Sequence, residues 1–133
     1  MKKTLIILTS SFIFILTLYS CKKTIPNNSN LTGQWQWSYS TGGIGGGKVV
    51  PEWNRILILT FNGDSTYSVM DQGTIPLKGI YHITSDTTFG KIIHFNPAYP
   101  DPNGELYTIK NNQLILTDYM ISDGYTSYYQ RIK

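Results

Sequence analysis

The stretch 31-LTGQWQW-37 decides the fold of this chain. Trp35 and Trp37 alternate with glutamines, and Tyr39 continues the same period of two. Successive side chains of a β-strand point to opposite faces of the sheet. The alternation therefore predicts a strand over Gly33 to Ser40 with its aromatic side chains on one face, directed at a core.

The rest of the chain repeats this kind of pattern. Short runs rich in Thr, Tyr, Ile and Val are separated by turn signals such as Asn62-Gly63-Asp64, and no window has helical periodicity. Seven further strands are predicted over Arg55–Phe61, Thr66–Asp71, Ile75–Thr84, Lys91–Phe95, Glu105–Lys110, Gln113–Asp118 and Tyr125–Ile132. Sequential strands joined mainly by tight turns favour an all-β, eight-stranded antiparallel up-and-down β-barrel, because closure removes unpaired edges. A two-sheet sandwich is the alternative.

The first and last strands supply a specific contact. In a closed barrel with an even number of strands they are antiparallel neighbours, so Trp35 and Arg131 should meet at one end and form a structural closed-end pair. The guanidinium of Arg131 can then pack on the indole face.

This pairing resembles the lipocalins and the small lipocalin-like lipoproteins of bacteria. Three further phrases are similar to the latter: 60-TFNGDSTY-67, 79-GIYHI-83 and 128-YYQR-131. The resemblance implies a barrel with one open end. An eight-stranded barrel either fills its interior with side chains or holds one small ligand.

The N-terminus has the features of an export signal. Lys2 and Lys3 precede an apolar run from Leu5 to Tyr19, which is shorter than a membrane-spanning helix. The end of this run, 18-LYSC-21, resembles a bacterial lipobox, which implies cleavage before Cys21 and its acylation with fatty acids such as palmitate. We therefore expect a lipoprotein signal peptide over 1–20, a polar tether over 21–30 after the lipidated cysteine, and a lipocalin-like β-barrel domain over 31–133. The alternative is a chance cysteine at the end of a signal or anchor.

The charge distribution argues against nucleic acid as a partner. The chain has 11 basic and 8 acidic residues, but four of the basic ones are Lys2, Lys3, Lys22 and Lys23. The domain itself is nearly neutral, so it has no electrostatic reason to bind nucleic acid. The pair Lys22-Lys23 after the cysteine favours the periplasmic side of the outer membrane in a bacterial cell envelope, with the membrane reached through the lipid anchor.

The segment 41-TGGIGGGKVVPEW-53 resembles a phosphate-binding P-loop only in part. Val49 occupies the position where the motif needs Ser or Thr, and Pro51 follows where a helix should begin. We therefore interpret the segment as the first loop of the barrel, overhanging the open end, with Trp53 able to fold over the opening. An idle flexible loop is an equally good interpretation.

Neither a metal site nor an active site is predicted. His82 and His94 should be cross-strand neighbours that face outward, without a third ligand nearby. Cys21 is the single cysteine and is expected to be lipidated, and several aspartates occupy turns, where they have structural roles. We expect no cofactor and no enzymatic activity.

The aromatic residues are the candidates for a ligand pocket, because Trp and Tyr combine apolar area with a polar tip. The candidates are Trp37, Tyr39, Trp53, Phe61, Tyr67, Tyr81, Phe95 and Tyr129. The leading hypothesis is a membrane-anchored lipoprotein that binds a small apolar or amphipathic ligand without catalysis. The alternative is a filled barrel that docks an envelope protein through an outer strip at Ile56 and Ile58 and through loops 41–54 and 96–104.

Overall fold

The structure is a computed structural model that describes residues 30–133. Within that range the chain forms nine strands and no helix. The strands are β1 (Gly33–Gly42), β2 (Gly47–Val49), β3 (Leu57–Phe61), β4 (Thr66–Asp71), β5 (Thr74–Asp86), β6 (Gly90–Asn96), β7 (Glu105–Lys110), β8 (Gln113–Asp118) and β9 (Tyr125–Arg131). A helix long and apolar enough to cross a membrane is not found between residues 30 and 133. The predicted signal peptide, Cys21 and the tether up to residue 29 lie outside the described residues.

Eight of the strands close into a barrel. From β3 to β9 each strand pairs antiparallel with the next in sequence, and β1 pairs with both β3 and β9. The predicted antiparallel up-and-down barrel is thereby confirmed, and the sandwich alternative is wrong.

The chain order defines two ends of the barrel. The closed end carries the start of β1, the finish of β9, and the turns at 62–65 and 111–112. The open end carries the connections 43–56, 72–73, 97–104 and 119–124. β6 and β7 pair at only two positions, Ile92 with Leu106 and Ile93 with Glu105, and the proline-rich connection 97–104 lies above this short seam.

The glycine-rich segment 41–53, predicted from its sequence to be a loop, contains the short strand β2. β3 pairs only with Gly33–Gln36, so the upper half of β1 would be an open edge on that side. β2 pairs with it there, from Ser40 opposite Val49 to Gly42 opposite Gly47. The glycines at the tip adopt positive φ, which permits the tight reversal.

A β-bulge in β1 reverses the expected direction of one predicted pocket residue. Trp37 lies opposite Tyr129, but the next pair is Tyr39 with Tyr128, so Ser38 is an extra residue. One inserted residue shifts every later side chain to the other face. The prediction that Tyr39 faces inward is therefore wrong: it stacks on Tyr128 with ring centroids 4.4 Å apart, on the outer face, and Ser40 takes the buried position.

The closed end is fixed by contacts around Arg131, which is 4% exposed. Its guanidinium carbon lies 4.0 Å from the ring centroid of the fully buried Trp35. The same guanidinium donates hydrogen bonds to the carbonyls of Thr32 (2.8 Å) and Asn30. The Trp35 Nε1 donates to the carbonyl of Leu31 at 2.8 Å. These contacts hold residues 30–32 across the closed end, so the first described residue, Asn30, lies there.

Candidate binding site at the open end

The interior of the barrel has a solid half and an open half. Phe61, Tyr67 and Phe95 are buried and pack edge to face or tilted on one another, with Phe95 4.8 Å from Tyr67 and 6.0 Å from Phe61 between ring centroids. Tyr81 packs on Phe61 at 5.0 Å. These four predicted pocket residues therefore belong to a packed aromatic core and line no opening at the barrel mouth.

Two adjacent depressions occupy the open half. The first, which we call the inner pocket, has a volume of about 180 Å³. Its walls are Trp37, Ser40, Arg55, Leu57, Tyr99, Pro100, Ser127 and Tyr129. The second, the outer pocket, has a volume of about 250 Å³ and is lined by Ser40, Pro100, Asp101, Asp118, Tyr125 and Ser127. Because Ser40, Pro100 and Ser127 line both, the two depressions are adjacent and share a wall.

The wall shared by the two pockets is a chain of side-chain hydrogen bonds. The indole Nε1 of Trp37 donates to the hydroxyl of Ser40 at 2.9 Å, and that hydroxyl lies 2.8 Å from the hydroxyl of Ser127. Ser40 and Ser127 are paired on β1 and β9, which explains why both hydroxyls meet at this position. The wall offers hydroxyl groups to a ligand without leaving its own polar atoms unsatisfied.

Carboxyl groups lie beneath and beside the outer pocket. Glu105 is 1% exposed, and its Oε1 has no hydrogen-bond partner among residues 30–133. It is paired with Asp118 across β7 and β8, and both side chains share the inward faces that hold Tyr107 and Leu116. Burial raises the pKa of Glu105 to about 9, with further contributions from the negative charge of Asp118, a hydrogen bond with the Asp118 side chain and the negative charge of Asp101.

Tyr99 and Tyr129 line the inner pocket and add two phenol hydroxyls to its walls. Burial raises the pKa of Tyr129 well above its ordinary value and also raises that of Tyr99. A hydrogen bond between the two hydroxyls contributes to both shifts, with opposite signs. Both phenols are therefore neutral, so they can serve as hydrogen-bond donors and as flat aromatic surfaces.

The other predicted residues lie elsewhere. Trp53 is 92% exposed and does not cover the opening. His82 and His94 are stacked with ring centroids 4.7 Å apart, and Nε2 of His94 lies 2.9 Å from the hydroxyl of Thr84. Between residues 30 and 133, no three His, Cys, Asp or Glu side chains are grouped so that they could hold a metal ion.

Sequence reasoning identified Trp37 and Tyr129 but missed most of the site. Ser40 and Ser127 resemble ordinary surface residues, and Tyr99 and Pro100 stood in a segment interpreted only as a loop. Glu105 had a detectable signal, because it shares the period-two face of Tyr107 and Ile109 in 105-ELYTIK-110. A charged residue on an apolar inward face indicates a special environment.

Comparison with protein-family models, with curated proteins and with solved structures gives no match to this chain.

Proposed function

We propose that this protein is a membrane-anchored, lipocalin-like binding protein that takes one small amphipathic ligand at the open end of its barrel, without catalysis. The observation that carries the proposal is the pair of adjacent pockets, inner and outer, whose walls combine Trp37, Leu57 and Tyr129 with hydroxyl and carboxyl groups. A few placed polar groups in an otherwise apolar and aromatic cleft are typical of small-molecule sites.

The volume limits the size of the ligand. The inner pocket has the space of about six water molecules, and it lies below the usual range for drug-sized ligands of roughly 300–1,000 Å³. A ring or a short chain fits between Trp37, Leu57 and Tyr129. The remainder of the molecule then lies in the outer pocket, next to Ser127 and Asp118.

The anchor is proposed at Cys21, with the lipid in the outer membrane and the domain in the periplasm. Asn30 stands nine positions after Cys21, and an extended chain over nine steps reaches roughly 30 Å. Since residues 30–32 cross the closed end, the open end is then directed away from the bilayer.

We propose binding without catalysis because the histidines, the commonest general bases, are separated from the serines of the mouth. The Ser40 and Ser127 hydroxyls are hydrogen-bonded to each other inside the mouth, whereas His82 and His94 lie on strands β5 and β6 and do not line either pocket. A serine nucleophile needs an adjacent base.

The test is whether a small molecule occupies the mouth. Native mass spectrometry of the purified protein should detect a co-purified small molecule, and Ser127→Leu should abolish this species by filling the shared wall. Ser68→Leu is the matched control, because Ser68 lies on β4 opposite Thr60, away from both pockets. A bound species that survives Ser127→Leu would place the ligand elsewhere.

A second function is favoured by the apolar side chains of the 43–56 connection. Ile44 is 95% exposed, Trp53 is 92% exposed and Val50 is 57% exposed. Ile56 is 46% exposed in the same connection, beside the half-buried Ile58. Exposed apolar clusters of this kind indicate a protein contact, so the alternative is an interaction module that docks an envelope protein.

Photo-crosslinking distinguishes the two functions. A photoreactive residue in place of Trp53 should give one discrete crosslinked protein in cells if this surface docks a partner. The same residue in place of Lys78, an exposed site on β5, is the control. Equal labelling from both positions would refute the interaction module.

A further inference from the structure

We infer that the mouth is specific for a small organic cation, namely an amphipathic primary amine whose ammonium group is bound beside Glu105 and Asp118. This inference rests on the proposed binding function and names the class of ligand.

The charged side chains that line the outer pocket are both acidic, which favours a cation as the ligand. Asp101 and Asp118 both line it, and among the described residues its walls contain no basic side chain. Ser40, Tyr125 and Ser127, which also line it, offer hydroxyl oxygens. An ammonium group has three donors and no acceptor, so it is the complement of a wall made of carboxylate and hydroxyl oxygens.

The buried carboxyl of Glu105 independently indicates a ligand that donates hydrogen bonds. A buried polar atom without a partner is costly, and the great majority of such atoms in native proteins are satisfied. Glu105 is inaccessible to solvent and Oε1 has no partner among residues 30–133, while the side chain faces Asp118 at the base of the site. A donor supplied by a ligand would satisfy it.

The arrangement of the carboxyl groups does not suit a divalent metal ion. A divalent metal needs several oxygen ligands within about 2.0–2.6 Å. The acidic side chains of residues 30–133 are not grouped closely enough for that. The carboxyl groups are instead distributed over a pocket of about 250 Å³, which suits a cation with a molecular body.

The inner pocket is suited to the rest of such a molecule. Trp37, Tyr99 and Tyr129 present aromatic surface next to the carboxyl groups, and aromatic faces attract cations as well as apolar groups. The single cation of the inner pocket wall, Arg55, does not oppose this arrangement strongly. Its guanidinium is paired with the carboxylate of Asp71 at 2.9 Å, which offsets its positive charge.

Binding of the amine should also release the carboxyl proton of Glu105 to solvent. The groups that face Glu105 are Asp118, Asp101, Tyr99 and Tyr129, and burial together with the two aspartates keeps this carboxyl protonated at pH 7. An incoming ammonium ion stabilises the ionised carboxylate, so the Glu105 proton is released to solvent and the ammonium keeps its own. One proton is therefore released for each amine bound.

The test uses the full chain in lipid nanodiscs and three probes of nearly equal size: 2-phenylethylamine, 2-phenylethanol and 3-phenylpropionate. Isothermal titration calorimetry at pH 7 should give an affinity for the amine about ten-fold or more above that for the alcohol, and weaker binding of the carboxylate. Titrations in buffers of different ionisation enthalpy should show about one proton released per amine.

Two glutamate-to-glutamine variants test whether Glu105 is responsible for the preference for the amine. Glu105→Gln should lower the affinity for the amine roughly ten-fold and abolish proton release, and it should change the affinity for the alcohol much less. Glu52→Gln, at the only other glutamate of the chain, makes the same chemical change outside both pockets and should leave all three affinities unchanged. Thermal melting of both variants monitors folding.

The outcomes are distinct. Equal affinities for amine and alcohol, or an amine affinity unchanged in Glu105→Gln, would overturn the inference and leave the proposed binding function standing. Binding of none of the three probes would overturn both.

Discussion

Replacement of Arg131 by lysine tests the closed end of the barrel. The guanidinium donates to the carbonyls of Asn30 and Thr32 while its carbon lies 4.0 Å from the Trp35 ring centroid. An ammonium group has no planar fork, so it cannot keep both carbonyls and the stacking at once. The segment 30–32 should then lose part of its attachment.

The expected cost follows from these contacts. Hydrogen bonds to charged groups contribute about 1.5–3 kcal/mol each, and a desolvated cation–π contact contributes about 2 kcal/mol. Loss of one hydrogen bond and part of the stacking should cost roughly 2–4 kcal/mol of unfolding free energy. For a domain of this size, Tm should fall by about 10–20 °C.

Arg55→Lys is the matched control, since Arg55 is the only other arginine in the chain. It pairs with Asp71 at 2.9 Å, and the two side chains are 37% and 31% exposed. An exposed pair of this kind contributes about 0–1 kcal/mol, so Tm should change by only a few degrees. Both variants are melted under the same conditions by circular dichroism. Equal Tm values for the two variants would refute the conclusion that the contacts of Arg131 stabilise the closed end.

Three further predictions concern the pH dependence, the backbone and the tryptophans. The pKa of Glu105 is raised from 4.5 to about 9 in the folded state, so its stabilising contribution is complete below pH 4.5 and is lost as pH rises towards 9. Glu105→Gln should therefore gain stability relative to the wild type between pH 5 and pH 8 in urea titrations, and a constant difference would contradict the raised pKa. Gly33→Ala should destabilise the domain by roughly 1–3 kcal/mol, because φ is 140° and a Cβ would lie 2.4 Å from the Lys133 carbonyl oxygen, whereas Gly47→Ala meets open space and should be neutral in the same urea titrations. Trp53→Phe should remove most of the acrylamide-quenchable tryptophan fluorescence, because Trp53 is 92% exposed; quenching that persists would show that this side chain is covered.

The sequence predicted the barrel because its signals are local and redundant. Period-two runs such as Leu57, Leu59 and Phe61 fix which face is buried, and glycine or asparagine turns delimit each run. The end pairing of Trp35 with Arg131 follows from topology alone once the number of strands is even.

The details that failed depend on tertiary structure. The bulge at Ser38 adds one residue to β1, and no pattern in 33-GQWQWSYS-40 marks where the count of two must be broken. Tyr39 was therefore assigned to the wrong face. β2 exists because β3 leaves the upper part of β1 unpaired, which is a property of the assembled sheet and not of the glycine-rich sequence.

The site was harder to predict than the fold. Aromatic residues can fill a core or line a pocket, and the sequence does not distinguish Phe61, which is in the core, from Trp37, which lines the mouth. The polar members of the site lie far apart in sequence. Ser40 meets Ser127 only because the last strand returns beside the first.

The pairing of β1 with β9 also has a kinetic consequence. The contact between Trp35 and Arg131 closes a loop that contains almost the whole domain. Loop-closure entropy makes such distant contacts slow to form, so a barrel of this topology should refold in milliseconds to seconds. During synthesis, the first strand has to wait for the last residues of the chain before the barrel can close, and loss of the final strand should prevent closure altogether.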